Sequence, residues 1–131
     1  GFKDLPVMMN PFDAKKSEPN FWLSCLLLDS EAMCKQVRSE QEALYISERG
    51  KSCPTEILET LAAYNAEGRP IWKPMHMQPY YEKYDFFSSF SYHGISVSED
   101  IFNRGICLPS DTKMNEEEIN RVIEIIKEIF V

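Results

Sequence analysis

The sequence predicts an α+β fold, a small antiparallel or mixed sheet packed with helices. Three observations point there. Two compact apolar runs, FWLSCLLLD at 21–29 and ICLPS at 106–110, have the length and continuity of covered strands. Two longer segments, CPTEILETLAAYNAEG and NEEEINRVIEIIKEIF, carry apolar residues at helical spacing. Strand and helix signals are also mixed without a strict βαβ repeat, which favours a layered α+β arrangement. At 131 residues, 44 % hydrophobic and 27 % charged, the chain reads as one domain, 1–131, able to bury a core.

Taken in order, Leu5 to Met9 reads as a short strand, followed by a charged, proline-containing loop. The run at 21–29 is the next strand, ended by Asp29 and Ser30. Residues 30–52 form a polar excursion in which a short helix over Glu31 to Arg38 is open, with Met33, Cys34 and Val37 sharing a face. Pro54 then suits a first helical position, and Glu56 favours the first-turn dipole. The buried stripe of that helix is Ile57, Leu58, Leu61 and Ala62, with Gly68 as its left-handed stop. RPIW is strand-like, and DFFSSFSYHGIS at 85–96 is an aromatic loop. SEDIFNRG is a short helix capped by Ser98 and ended by Gly105. After the ICLPS strand, Asn115 caps the last helix over three acids, with its apolar face on Ile119, Val122, Ile123, Ile126, Ile129 and Phe130.

Composition removes several function classes. The net charge is −7 and the isoelectric point is near 4.8, with lysines and arginines scattered among more numerous acids. No basic stripe exists to bind nucleic acid, and no polybasic patch to meet an anionic membrane. The longest apolar run falls far short of the ~20 residues that a membrane-spanning helix needs. No signal-peptide pattern opens the chain, so a cytoplasmic setting is expected, and Gly1 in place of an initiator methionine reads as a processed or truncated start.

Four cysteines, Cys25, Cys34, Cys53 and Cys107, form no C-x-x-C pair, and neither histidine sits at metal-ligand spacing from them. Free thiols packed as small hydrophobes are the main expectation, with disulfides or a metal site as the remaining alternatives. No metal ligand is assigned. Phosphate-binding glycine loops, nucleophile elbows and metalloprotease motifs are absent. His93 reads as an ordinary loop residue. Lys73, between Trp72 and Pro74, reads as a snorkelling or ion-pairing lysine rather than a desolvated nucleophile.

The stretch RPIWKPMHMQPYYEKY, 69–84, is different. Its prolines forbid a helix and a central strand, yet its aromatics and methionines are types that seek burial. A rigid, irregular, apolar segment with one imidazole, His76, suits the wall of a binding cleft. From the residues alone, a structural histidine is the favoured reading of the two.

RPIWKPMHMQP, followed by EDIFNRGICLPSDTKMNEEEINRVIEIIKEIF, resembles the end of the DegT/DnrJ/StrS family, pyridoxal-phosphate aminotransferases acting on nucleotide-linked keto sugars. Arg69 to Pro79, Gly105 to Ser110 and the helix from Asn115 match its closing pattern in order, and PNFWLSCLLLD resembles an earlier strand. The resemblance implies the C-terminal small domain of a fold-type I aminotransferase. The phosphate cup, the acid facing the pyridinium nitrogen and the catalytic lysine would then lie on an N-terminal domain absent here. It implies pyridoxal phosphate as cofactor, glutamate as amino donor, a role in polysaccharide or related amino-sugar biosynthesis, and a homodimer when full-length. No catalytic residue is expected in these residues, which alone would be inactive. Met75 and His76 are expected to face cofactor or sugar, with Arg69 and Trp72 supporting them from behind. The competing class is a free-standing α+β binding or interaction module.

Overall fold

A computed structural model describes residues 1–38, 42–89, 91, 92 and 94–131, the last-named pair 91–92 by backbone only. The elements run β1 (Val7–Met9), β2 (Ser24–Leu28), β3 (Lys35–Arg38), β4 (Ala43–Ile46), α1 (Pro54–Ala63), β5 (Arg69–Pro70), β6 (Ser91–Tyr92), β7 (Ile95–Ser96), α2 (Val97–Arg104), β8 (Gly105–Leu108) and α3 (Glu116–Ile129). The two apolar runs become the inner strands of a four-stranded antiparallel sheet of order β1-β2-β8-β5. With its helices this is the expected α+β class.

Alternation along β2 and β8 sorts the sheet into two faces. Leu26, Leu28, Ile106 and Leu108 point to one side, where they meet Ile57 and Leu61 of α1 and Val122, Ile125 and Ile126 of α3. Burying each such side chain contributes about 1.5–3 kcal/mol, so this single cluster is the main stabilising feature. Cys25, Leu27 and Cys107 take the other face. All four residues of β8 are buried, as suits a strand covered on both sides. Pro70 falls in the short edge strand β5, where a missing donor costs no ladder bond on the open side.

Four local expectations are corrected. Residues 35–38 are a strand, not part of a helix, and pair with β4 in a hairpin. The reason is tertiary. Gln36 and Arg38, two apart and therefore on one face, donate to the Asn103 and Phe102 carbonyls at the end of α2, both at 2.8 Å. Helical spacing would send them apart.

The left-handed stop after α1 is Asn65, at φ 56°, and not Gly68. Space at Gly68 is tight instead: a Cβ there would lie 2.8 Å from Leu58 Cδ2 and 3.0 Å from Leu61 Cδ1, so a larger residue would displace those methyls. Ser96, rather than Ser98, caps α2. Its hydroxyl accepts from Glu99 N at 3.2 Å while the Glu99 carboxylate accepts from Ser96 N at 2.6 Å, a complete capping box.

The buried faces of two helices are also narrower or rotated. Ala62 is exposed, and in α3 Ile125 is buried while Ile119 is 45 % exposed. Asn115 caps α3 as expected, with the reciprocal bond from its own N–H to Glu118.

Candidate functional site

The prolines at 70, 74 and 79 break 69–84 into short hydrogen-bonded turns. Met77 N donates to Pro74 O at 3.0 Å and Gln78 N to Met75 O at 3.1 Å, closing a 3₁₀ turn over Met75–Met77. Gln78 Nε2 reaches back to Lys73 O at 3.3 Å. Tyr81 N and Glu82 N both donate to Gln78 O, continuing the chain of turns. The backbone is irregular yet satisfied, which is how a proline-rich segment holds one shape.

His76 and Met77 are the partly buried side chains of that turn. The His76 imidazole is 15 % exposed and lies flat on Phe86, ring centroids 3.5 Å apart and planes at 9°. Its Nε2 stands 3.6 Å from Glu99 Oε1, an ion-pair separation too long for a hydrogen bond. Among the described residues this buried nitrogen has no hydrogen-bond partner. Glu99 therefore does two jobs, capping α2 with one oxygen and facing the imidazole with the other. The Ser96 side chain and backbone, ahead of the nearby His76, hold its carboxyl below the usual value.

Around His76 opens a pocket of about 490 Å³ lined by Arg38, Lys73, Met77, Glu82, Glu99, Phe102 and Asn103. A larger cleft of about 1030 Å³ adjoins it through Arg38, Lys73 and Phe102. The shared wall is firmly built. Arg38 places its guanidinium 4.4 Å over the Phe102 ring while bonding the Phe102 carbonyl, a cation closing a helix C-terminus.

The far lip of the cleft carries Trp22 and Trp72, stacked at 6.1 Å and 29°. They are 71 % and 64 % exposed. Phe21 precedes Trp22 with φ at 50°, an uncommon conformation for a bulky residue that the Phe12 edge contact at 5.7 Å accompanies. Arg69, also on the cleft, pairs with Glu67 at 2.5 Å.

His76 thus lines the pocket. Met77, not Met75, lines that pocket with it; Met75 is exposed on the outside of the turn. Arg69 and Trp72 line the large cleft, and both side chains are exposed there. Met75, Trp72, Tyr80 and Tyr84 are all exposed, so much of the apolar surface of 69–84 is uncovered within these residues. His93 lies outside the described residues.

Residues 24–127 match the DegT/DnrJ/EryC1/StrS aminotransferase family. The chain belongs to that family. A relative in Bacillus subtilis (strain 168), named "Putative pyridoxal phosphate-dependent aminotransferase EpsN", is 47 % identical over 77 residues. Those residues are 59 % of this chain but only 19 % of the relative's length.

Two positions of the family-like segment G-I-C-L-P-S now have physical reasons. A Cβ on Gly105 would stand 2.6 Å from Ile101 O and 2.7 Å from Ile71 Cγ1, so only glycine lets α2 turn directly into β8. Ser110 Oγ accepts from Ser24 N and donates to Leu108 O, both at 2.9 Å, locking the start of β2 to the end of β8.

The cofactor in the relative's name needs a phosphate anchor, a pyridinium partner and an amine. Beside His76 the capping box at the N-terminus of α2 already engages the Ser96 and Glu99 N–H groups and sets the Glu99 carboxylate there, which disfavours a phosphate at that end. The described residues do not make a complete cradle for that group. Nor do they place three or more His, Cys, Asp or Glu to hold a metal ion. No helix among them is long and apolar enough to cross a membrane.

Phe86, Glu99, Arg38 and Phe102 are the site residues that sequence reasoning missed. Glu99 had a local signal, three residues after Ser96 in a capping-box pattern. The others had none, because long-range contacts bring them in.

Proposed function

We propose that this chain is the small C-terminal domain of a pyridoxal-phosphate aminotransferase that moves an amino group, from glutamate, to a nucleotide-linked keto sugar. The observation that carries the reading is the family match over 24–127. The short share of the relative's length that is covered agrees with machinery lying on other chain. The cofactor, anchored by that other chain together with the catalytic lysine, supplies the electron sink for amino transfer.

The role of these residues is to form one wall of the reaction cleft. The stacked Trp22–Trp72 pair and Met75 offer apolar surface that a facing domain would cover and dry. His76 stacks on Phe86 in the pocket wall, and its role is to hydrogen-bond a hydroxyl or phosphate of the sugar nucleotide, which requires its buried, unbonded Nε2 to be uncovered. It orients substrate and does not act as the essential base. The parent enzyme is a cytoplasmic homodimer working in polysaccharide or related amino-sugar biosynthesis.

The test is His76→Ala in the full-length enzyme, with each half-reaction timed separately. Amino transfer to the sugar slows more than amino transfer from glutamate. Equal loss in both, or none in either, overturns the assignment of His76. A stable pyridoxal-phosphate absorbance shift arising at Lys73 of residues 1–131 alone would overturn the placement of the catalytic lysine elsewhere.

A further inference from the structure

Antiparallel pairing sets Cys25 of β2 directly opposite Cys107 of β8. The Cys25 backbone faces away from β8: its N–H donates to Asn10 Oδ1 and its carbonyl accepts from Asn10 N, both at 2.7 Å. Cys25 and Cys107 are therefore a non-hydrogen-bonded cross-strand pair, whose Cα atoms lie about 4.5 Å apart. That separation falls within the range of about 4.4–6.8 Å that a disulfide spans. The two sulfurs are already 3.9 Å apart. Both thiols lie on the sheet face away from the α1–α3 core, since their neighbours Leu26 and Ile106 fill that core. Cys107 lines the large cleft, and Cys25 is partly exposed.

We propose that Cys25 and Cys107 are a redox-active dithiol, a modification site on the sheet face beside the large cleft that takes a low-molecular-weight disulfide as its oxidant. The Cys25 thiolate attacks one sulfur of the oxidant, the oxidant's S–S bond breaks, and one thiolate leaves. Cys107 then attacks the sulfur now on Cys25, forming the Cys25–Cys107 bond and expelling the second thiolate. Two protein thiols are oxidised, one disulfide is reduced to two thiols, and the two thiol protons pass to those products.

Exposure sets the order, with Cys25 attacking and Cys107 resolving. Burial, reinforced by Cys25, pushes the Cys107 thiol up to about 11, so the second step depends on proximity rather than on an abundant thiolate. The other thiols, Cys34 and Cys53, are both buried and have no comparable access.

The experiment incubates the full-length protein with oxidised glutathione, quenches by alkylation and maps the peptides. The expected product joins the Cys25 and Cys107 peptides, removes two of the chain's four thiols from titration and reverts with dithiothreitol. Cys25→Ser abolishes the cross-link. Cys107→Ser, or Cys107→Ala if serine is not tolerated on the buried strand, leaves a glutathione adduct on Cys25. A native protein that keeps all its thiols, a link involving Cys34 or Cys53 instead, or a Cys107 variant without the Cys25 adduct would overturn the proposal.

Discussion

The imidazole of His76 lies face to face with the ring of Phe86, 3.5 Å between centroids. The contact joins a turn whose bounds are set by proline to a loop residue ten positions on, and it leaves Nε2 as the only ring atom with unsatisfied polar capacity that is also buried. In solution the His76 ring protons should resonate upfield, inside the Phe86 ring current. With two histidines in the chain the assignment is simple. Phe86→Ala and Phe86→Leu should both move those resonances downfield; unchanged shifts in both would show that the stack does not form.

Glu99 makes α2 acid-sensitive. Its folded value lies below the ordinary 4.5, chiefly through Ser96, so its stabilising contribution is fully present above that value. The contribution is lost as pH falls through the depressed folded value. An acid titration should therefore destabilise wild type more steeply below about pH 4.5 than it does Glu99→Gln, which has no carboxylate to protonate. At neutral pH, Ser96→Ala should cost about 1 kcal/mol by chemical denaturation.

Arg38 ties the β3–β4 hairpin to α2 by a carbonyl bond and by its stack on Phe102. Arg38→Met keeps the aliphatic stem but removes both, for an expected loss of about 1–2 kcal/mol. Amide exchange at the end of α2 should rise in the same variant. Arg38→Lys should recover only part of the loss, because an ammonium cannot reproduce the planar contact. Full recovery by lysine would mean that charge alone matters.

Leu61 is fully buried between α1 and the sheet, whereas Ile119 is the exposed member of the periodic face of α3. Leu61→Ala should cost about 2–5 kcal/mol, and Ile119→Ala no more than about 0.5 kcal/mol. In the full-length protein a large loss at Ile119 would instead reveal a neighbour covering it.

The α+β class, the inner strands and the two long helices were legible because their signals are local. Continuous apolar runs mark covered strands, and the Pro54 and Asn115 starts rest on backbone chemistry within one turn. The segment at 35–38 was not legible. Its Lys35, Gln36 and Arg38 favour helix by intrinsic propensity, and the bonds of Gln36 and Arg38 to α2 override that preference for a strand. Gly68 misled for a related reason. Its role is clearance for Leu58 and Leu61, which no local pattern encodes.

By itself, then, the sequence determined the inner strands, the three helices, the family resemblance and the attention due to His76, through spacing, capping and motif, while the β3–β4 and β6–β7 hairpins escaped it. Only the tertiary structure decided what surrounds His76 and what does not. It brought in Phe86 and Glu99, set Met77 rather than Met75 beside the pocket, turned Trp72 and Arg69 onto the open cleft, and aligned Cys25 with Cys107. Chain entropy opposes bringing such distant groups together, and burial of the shared core supplies the free energy that does so.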